Sequence, residues 1–341
     1  MKHKQQIPVE PLEACLREQY GVQSVTVEFL PLGLDSNAGV YRVEDREGDR
    51  YLLKVKSGSL YAPGCLVPRY LHDQGITAVV APIPTTSQSL WVPLAGGCVI
   101  LYPFLDGDTN WTGMTSEQWL EVGSVFRRIH QTVLPPEVLA ELRRESFDPS
   151  EYARWVDSVE RQHLPRRANS STSAEALRAL WVKERPRTHE LLAALTRLGA
   201  ALRGRHLPFG VCHADLHPAN ILRDLQGRVH VIDWDDVMLA PKERDLIFVK
   251  TSADDPDFLP GLPSYFDGYG GKEIDWIALS YFRFERVIQE WIAVVDDVLL
   301  RNDLEEDARA DAVTLIETVL SEGGEFDAAV AAAGHLPRDL A

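Results

Sequence analysis

The chain has 341 residues, with 35 Lys+Arg against 51 Asp+Glu for a net charge of −16, and 45% of it is hydrophobic. That length buries enough surface to need no disulfide or metal staple, and at ~150 residues per domain it suggests two domains. The acidic balance argues against a nucleic-acid backbone or an anionic membrane surface as partner, whereas a cationic small molecule would be drawn to any cleft that focuses the charge.

No run of ~18 apolar residues occurs, so no transmembrane helix is expected. The opening MKHKQQIP has the charge of a signal peptide without its apolar run. Cys15, Cys65, Cys98 and Cys212 show no paired spacing, so neither a zinc site nor a disulfide framework is expected. A reducing cytoplasm is the natural compartment.

Leu12, Leu16 and Tyr20 lie on one face of a helix over 8–20 that Gly21 ends. From 22 to 56 the period drops to two. Val25, Val27 and Phe29 alternate, as do the stretches around Val40–Val43 and Tyr51–Val55, with Gly33, Gly39 and Gly48 as turns. These are antiparallel strands. A short helix is expected near 67–73, started by Pro68, and further strands near 78–83, 89–93 and 98–104. Ser116 reads as an N-cap, followed at helical spacing by Trp119, Leu120, Phe126 and Ile129. Longer helices are expected over 149–163 and 174–202, separated by the loop PRRANSSTS, and again near 242–250 and through 274–333. Trp111, Trp119, Trp155 and Trp181 are expected to pack rather than stack on a ligand. The fold class is α+β: a small antiparallel-sheet lobe over 1–105 and a larger helical lobe over 106–341.

Between the helical stretches lies VCHADLHPANIL, residues 211–222, and after Gly227 the strand-like VHVI runs into Asp233-Trp234-Asp235. Two short strands thereby deliver Asp215, Asn220 and Asp233 near one edge. Phosphoryl transfer of the kinase type needs such a set: a carboxylate for the attacking hydroxyl, and an amide and a second carboxylate for magnesium. The five-residue step from Asp215 to Asn220 lets both side chains face one cavity, and oxygen donors suit Mg²⁺. The HxDxH spacing of His213, Asp215 and His217 leaves a metal-dependent hydrolase as an alternative.

HADLHPANIL followed by VIDWDD resembles the catalytic loop and magnesium motif of the aminoglycoside phosphotransferase family, which shares the protein-kinase-like two-lobe fold. Within the family the resemblance is nearest the branch acting on spectinomycin, through LPLGLDSNAGVY, YLLKVK, LHDQGI, APKERDL and YFRFERV. It implies transfer of the γ-phosphate of ATP, or of GTP, to a hydroxyl of spectinomycin or a related aminocyclitol or aminoglycoside, a cationic antibiotic. It implies no obligate protein partner. By motif position Asp215 resembles the catalytic aspartate, and Asn220 and Asp233 the magnesium ligands. Lys54 resembles the lysine on the α- and β-phosphates, with Lys56 on the same strand face. Ser36 and Asn37 fall in the turn that resembles the nucleotide-positioning loop. Pro103 and Leu105 fall in the adenine hinge, where the proline carbonyl can accept from adenine and the Leu105 N–H can donate. Asp245 resembles the carboxylate that braces the catalytic loop.

Substrate ammonium groups need carboxylates, and the candidates are Asp235, Asp236, Glu285 and Glu290, although Arg283 and Arg286 could neutralise Glu285. The chain departs from the kinase-like pattern in one respect. Residues 51–116 contain no Glu, so the helix after YLLKVK cannot supply the usual partner of Lys54, and Asp233 is the nearest substitute. LAPKE begins six residues after Asp233, which leaves no room for a protein kinase's activation loop. The alternatives are a kinase-like enzyme for another small alcohol (macrolide, sugar, choline, homoserine) or a catalytically silent nucleotide-binding module.

Overall fold

The computed structural model describes residues 8–31, 38–94, 96–109, 113–165, 171–248 and 262–340. Helix α1 (Val9–Cys15) continues through a π-helical turn, Leu16–Tyr20, and ends at Gly21 with φ 73°. Five strands follow: β1 (Ser24–Leu30), β2 (Ala38–Asp45), β3 (Arg50–Ser57), β4 (Val92–Leu94) and β5 (Gly97–Pro103). They form one antiparallel sheet in the order β1-β2-β3-β5-β4. Strand alternation gives the sheet two faces. Tyr41, Val43, Leu53, Val55, Val99 and Leu101 pack with Leu12 and Leu16 of α1. Val40, Lys54 and Ile100 stand in register on the opposite face, so Lys54 points away from α1.

Between β3 and β4 lies α2 (Pro63–Asp73). Pro63, not Pro68, occupies its first turn, where a missing N–H costs nothing; Pro68 lies inside the helix. The strand expected at 78–83 is absent, because Pro82 and Pro84 break the ladder. Val79 makes only an isolated parallel bridge to Val231, and the segment straps the sheet to the chemistry-bearing hairpin.

The remainder is mostly helical. The short β6 (Gly107–Asp108) leads to α3 (Ser116–Gln131), whose N-cap is Thr115 in a reciprocal capping box with Gln118. Next come α4 (Pro136–Glu141), α5 (Ser150–Ser158) with a π-helical extension to His163, and α6 (Thr172–Arg203). Then β7 (Gly210–Cys212), β8 (Ile221–Asp224), β9 (Val229–Val231) and β10 (Met238–Ala240) form two small antiparallel sheets, β10-β7 and β6-β8-β9. The helix expected near 242–250 is a 3₁₀ turn, Lys242–Leu246. The chain ends in α7 (Leu262–Tyr269), α8 (Trp276–Val295), α9 (Glu306–Leu320) and α10 (Glu325–Ala333). Helix α8 is apolar on nearly every side and packs on α6, α9 and α10, burying Phe282, Val287 and Trp291. Trp119 and Trp181 are core residues and Trp155 packs on Trp181, while Trp111 lies outside the described residues. The four cysteines are free and buried. Among the described residues no helix is long and apolar enough to cross a membrane.

Candidate active site

The segment between β7 and β8 is pinned by Asp245, which is fully buried in the 3₁₀ turn. Its Oδ2 accepts the His213 N–H at 3.0 Å and its Oδ1 the Ala214 N–H at 2.7 Å. His130 Nε2, from α3, meets Oδ2 at 2.9 Å, so three donors converge on one carboxylate. Those bonds hold Ala214 at φ 71°, a left-handed conformation that costs a non-glycine residue about 1–2 kcal/mol. The twist turns Asp215 out of the strand line. Asp233, at φ 60°, is similarly strained at the end of the facing hairpin.

His213 and His217 organise this loop. His213 Nε2 donates to the Ile232 carbonyl at 2.9 Å and its Nδ1 accepts the Asp215 N–H at 3.4 Å. With both nitrogens engaged, His213 has none for a metal, and the HxDxH hydrolase alternative falls. His217 Nδ1 accepts the Ala219 N–H at 3.2 Å, which places the ring proton on Nε2, 3.4 Å from Asp215 Oδ2. His130, Cys212 and Asp245 also bring their ligand atoms together, but His130 and Asp245 bond each other and burial pushes the Cys212 thiol well up.

Asn220 Nδ2 donates to the Asp215 carbonyl at 2.8 Å, which leaves its Oδ1 as a free oxygen donor. The Ile232 N–H donates to the Asn220 carbonyl at 3.0 Å, tying the hairpin that carries Asp233 to the loop that carries Asp215. Asp215 and Asn220 are thus in direct contact, and the backbone bond from Ile232 brings the hairpin end that carries Asp233 alongside them. Arg286, from α8, reaches Asp215 Oδ1 at 3.3 Å. Burial alone would raise the Asp215 carboxyl, yet the His217 hydrogen bond and the Arg286 charge outweigh it and hold the group below the ordinary carboxylate range.

Lys54 Nζ spans the gap between sheet and hairpin. It lies 2.8 Å from Asp233 Oδ1 and 2.7 Å from Asp235 Oδ2, and Lys56 Nζ lies 2.9 Å from the same Asp235 oxygen. Burial would lower the Lys54 ammonium, but the two carboxylates raise it above the ordinary lysine range. Burial likewise opposes ionisation of Asp235, and the two lysines overcome it and hold its carboxyl low. Asp235, expected at the substrate ammonium groups, is thus engaged with two lysines of β3.

Beside Asp215 opens a cavity of about 260 Å³, lined by Arg143, Asp236, Met238, Glu145, Glu285 and Arg286. Asp236 pairs with Arg143 at 3.2 Å. Glu285 pairs with Arg244 and accepts from the Tyr152 hydroxyl at 3.0 Å, so its neutralising cation is neither Arg283 nor Arg286. Glu145, which sequence reasoning missed, accepts the Phe147 N–H at Oε1, 2.6 Å, and feels the Arg244 charge without a close ion pair among the described residues. Burial, reinforced by the Glu285 charge, pushes it up to about 7.

At the end of β5, Pro103 stands opposite Tyr51, while the next N–H, of Phe104, goes to the Arg50 carbonyl. Ladder alternation therefore turns the Pro103 carbonyl away from β3. Leu105 follows in a partly buried stretch. Ser36 and Asn37 lie outside the described residues.

Residues 27–281 match the model of the phosphotransferase enzyme family. No curated protein matches the chain. Among solved structures, spectinomycin phosphotransferase APH(9)-Ia in complex with ADP and spectinomycin is 28% identical, with 96% of this chain and 99% of that one covered and a TM-score of 0.85. The AMP-bound complex of APH(9)-Ia is 26% identical over 94% of this chain and 98% of that one, with a TM-score of 0.79. An aminoglycoside phosphotransferase from Alicyclobacillus acidocaldarius subsp. acidocaldarius, 18% identical over 98% and 96% of the two chains with a TM-score of 0.55, shares the fold.

Proposed function

The chain belongs to the phosphotransferase enzyme family, whose acceptors carry an alcohol group, and from there we propose that it moves the γ-phosphate of ATP, or of GTP, to a hydroxyl of spectinomycin or a related aminocyclitol or aminoglycoside. Antibiotic resistance would be the outcome. The observation that carries this is the meeting of Asp215, Asn220 and Asp233 opposite Lys54. The nucleotide lies between a lobe over 1–105 and one over 106–341, its adenine against Pro103 and Leu105 and its α- and β-phosphates against Lys54. Ser36 and Asn37 complete its cradle.

The Asn220 oxygen and the Asp233 carboxylate are hard ligands that suit Mg²⁺, and Asn220 is already oriented by the hydrogen bond its Nδ2 donates to the Asp215 carbonyl. When bound there, the ion would neutralise phosphate charge. Asp215, held ionised by His217 and Arg286, is a weak base. Its contribution is to accept a hydrogen bond from the substrate hydroxyl and align it with the γ-phosphate, taking the proton late. The cavity beside it receives the acceptor. Glu145, in no close ion pair among the described residues, and Asp236 line it as carboxylates for an ammonium group, with Glu285 largely committed to Arg244.

A coupled nucleotide-turnover assay, with and without spectinomycin and with and without Mg²⁺, tests this directly. Turnover should require both. Phosphorylation of choline or a neutral sugar but not spectinomycin would reject the acceptor, and nucleotide binding without turnover across a broad acceptor panel would favour the silent module.

A further inference from the structure

We propose that Asp235 is the positioning residue for Lys54, in the place that a helix glutamate holds in other kinase-like folds; the proposal rests on the phosphotransferase reading above. Helix α2 has no Glu, and the packing shows why it needs none. Its first turn lies directly on the backbone after the hairpin. A Cβ on Gly64 would sit 3.2 Å from the Trp234 carbonyl oxygen and 3.4 Å from the Asp235 Cα. A side chain at Gly64 would therefore meet the loop itself, and the loop supplies the carboxylate.

One oxygen, Asp235 Oδ2, accepts from both Lys54 at 2.7 Å and Lys56 at 2.9 Å. The two ammonium groups come from the same face of β3, and their side chains are only 12% and 15% exposed. Two like charges so placed repel unless an anion stands between them. Asp236, the next residue, faces Arg143 and the acceptor cavity. Consecutive carboxylates are thus divided, Asp235 to the nucleotide side and Asp236 to the acceptor side. Because Asp235 holds Lys54, Asp233 can be released to other ligands without setting the lysine adrift.

The test is titration calorimetry of ADP, without added metal, against the full chain, together with steady-state kinetics. Asp235→Asn should weaken ADP about tenfold or more and raise the nucleotide KM, while the acceptor KM stays within about twofold. In a Lys54→Met background the same substitution should change ADP affinity less than about twofold, because the pair acts as one unit. Should Asp235→Asn alone fail to fold, the comparison of Lys54→Met with the double variant decides. Equal ADP affinity supports the assignment, and a further loss of about tenfold overturns it. Unaltered protein that binds no ADP overturns the phosphotransferase reading along with this one. Binding that Asp235→Asn leaves intact overturns the Asp235 assignment alone.

Discussion

Substituting Asp245 by Asn would separate the bracing of the loop from the stability of the fold. The carboxylate serves His213 N–H, Ala214 N–H and His130 Nε2, two of them on Oδ2 and the Ala214 donor on Oδ1. An asparagine keeps its oxygen best toward the pair and turns an NH₂ group toward the Ala214 N–H. That buried donor, left without an acceptor, costs about 1–3 kcal/mol. The two remaining bonds lose their charge assistance, about 1 kcal/mol each. The expected destabilisation is therefore about 3–5 kcal/mol. The local effect is sharper, because the lost bond is the one that holds Ala214 at φ 71°, and its relaxation would swing Asp215 away from the hydroxyl it aligns. A drop in kcat of about 10²-fold, near 2.7 kcal/mol, is expected at a temperature where the variant is still folded. Asp224→Asn is the control. Asp224 also serves several donors, Gln226 N–H, Arg228 N–H and His230 among them, but at the far turn of the β8–β9 hairpin. It should lose comparable stability and keep kcat within about twofold. If Asp245→Asn loses stability like the control and keeps its kcat, Asp245 braces the fold and not the catalytic loop.

Glu145 should leave a mark on the pH dependence of stability. Its carboxyl ordinarily titrates near 4.5 and in the folded chain near 7. The folded state thus holds this proton more tightly, and the stability the group lends is complete below about 4.5 and is lost as pH rises through about 7. Between pH 5 and 8, urea unfolding should show the unaltered protein losing roughly 1–3 kcal/mol relative to Glu145→Gln; parallel profiles would contradict this. In the core, Gly123 of α3 lies so close to α7 that an added Cβ would run into the Tyr265 carbonyl oxygen. Gly123→Ala should cost about 2–4 kcal/mol in thermal unfolding, against about 1 kcal/mol for Gly48→Ala, where only the positive φ is at stake. Equal costs would mean that the two helices can part freely.

The hairpin that carries the candidate site is readable from sequence because its geometry is local. Asp215, His217 and Asn220 bond one another across five residues, and the period-two strand into Asp233 fixes its place beside them. The β1–β3 meander is equally local, since alternation and the turn at Gly48 specify it, although Gly39 lies inside β2 instead of at a turn and Gly33 falls outside the described residues. Contacts between distant elements escape such reading. Asp235 meets Lys54 across 181 residues and Arg286 meets Asp215 across 71. Nothing in WDD says that adjacent aspartates serve different sites; the strained turn at Asp233 and the approach of α2 at Gly64 decide that. Glu145 carries no motif at all. It is placed by an isolated parallel bridge of Arg144 to Leu239, in which the Glu145 N–H donates to the Leu239 carbonyl and the Leu239 N–H to the Arg143 carbonyl, each at 2.8 Å.

The most direct test of the account is magnesium-dependent nucleotide turnover with spectinomycin, compared between the unaltered protein and Asp215→Asn. Acceptor-stimulated turnover should fall by about 10²–10⁴ in the variant, with ADP affinity within about twofold. A variant that turns over at close to the unaltered rate would contradict the placement of the reacting hydroxyl at Asp215.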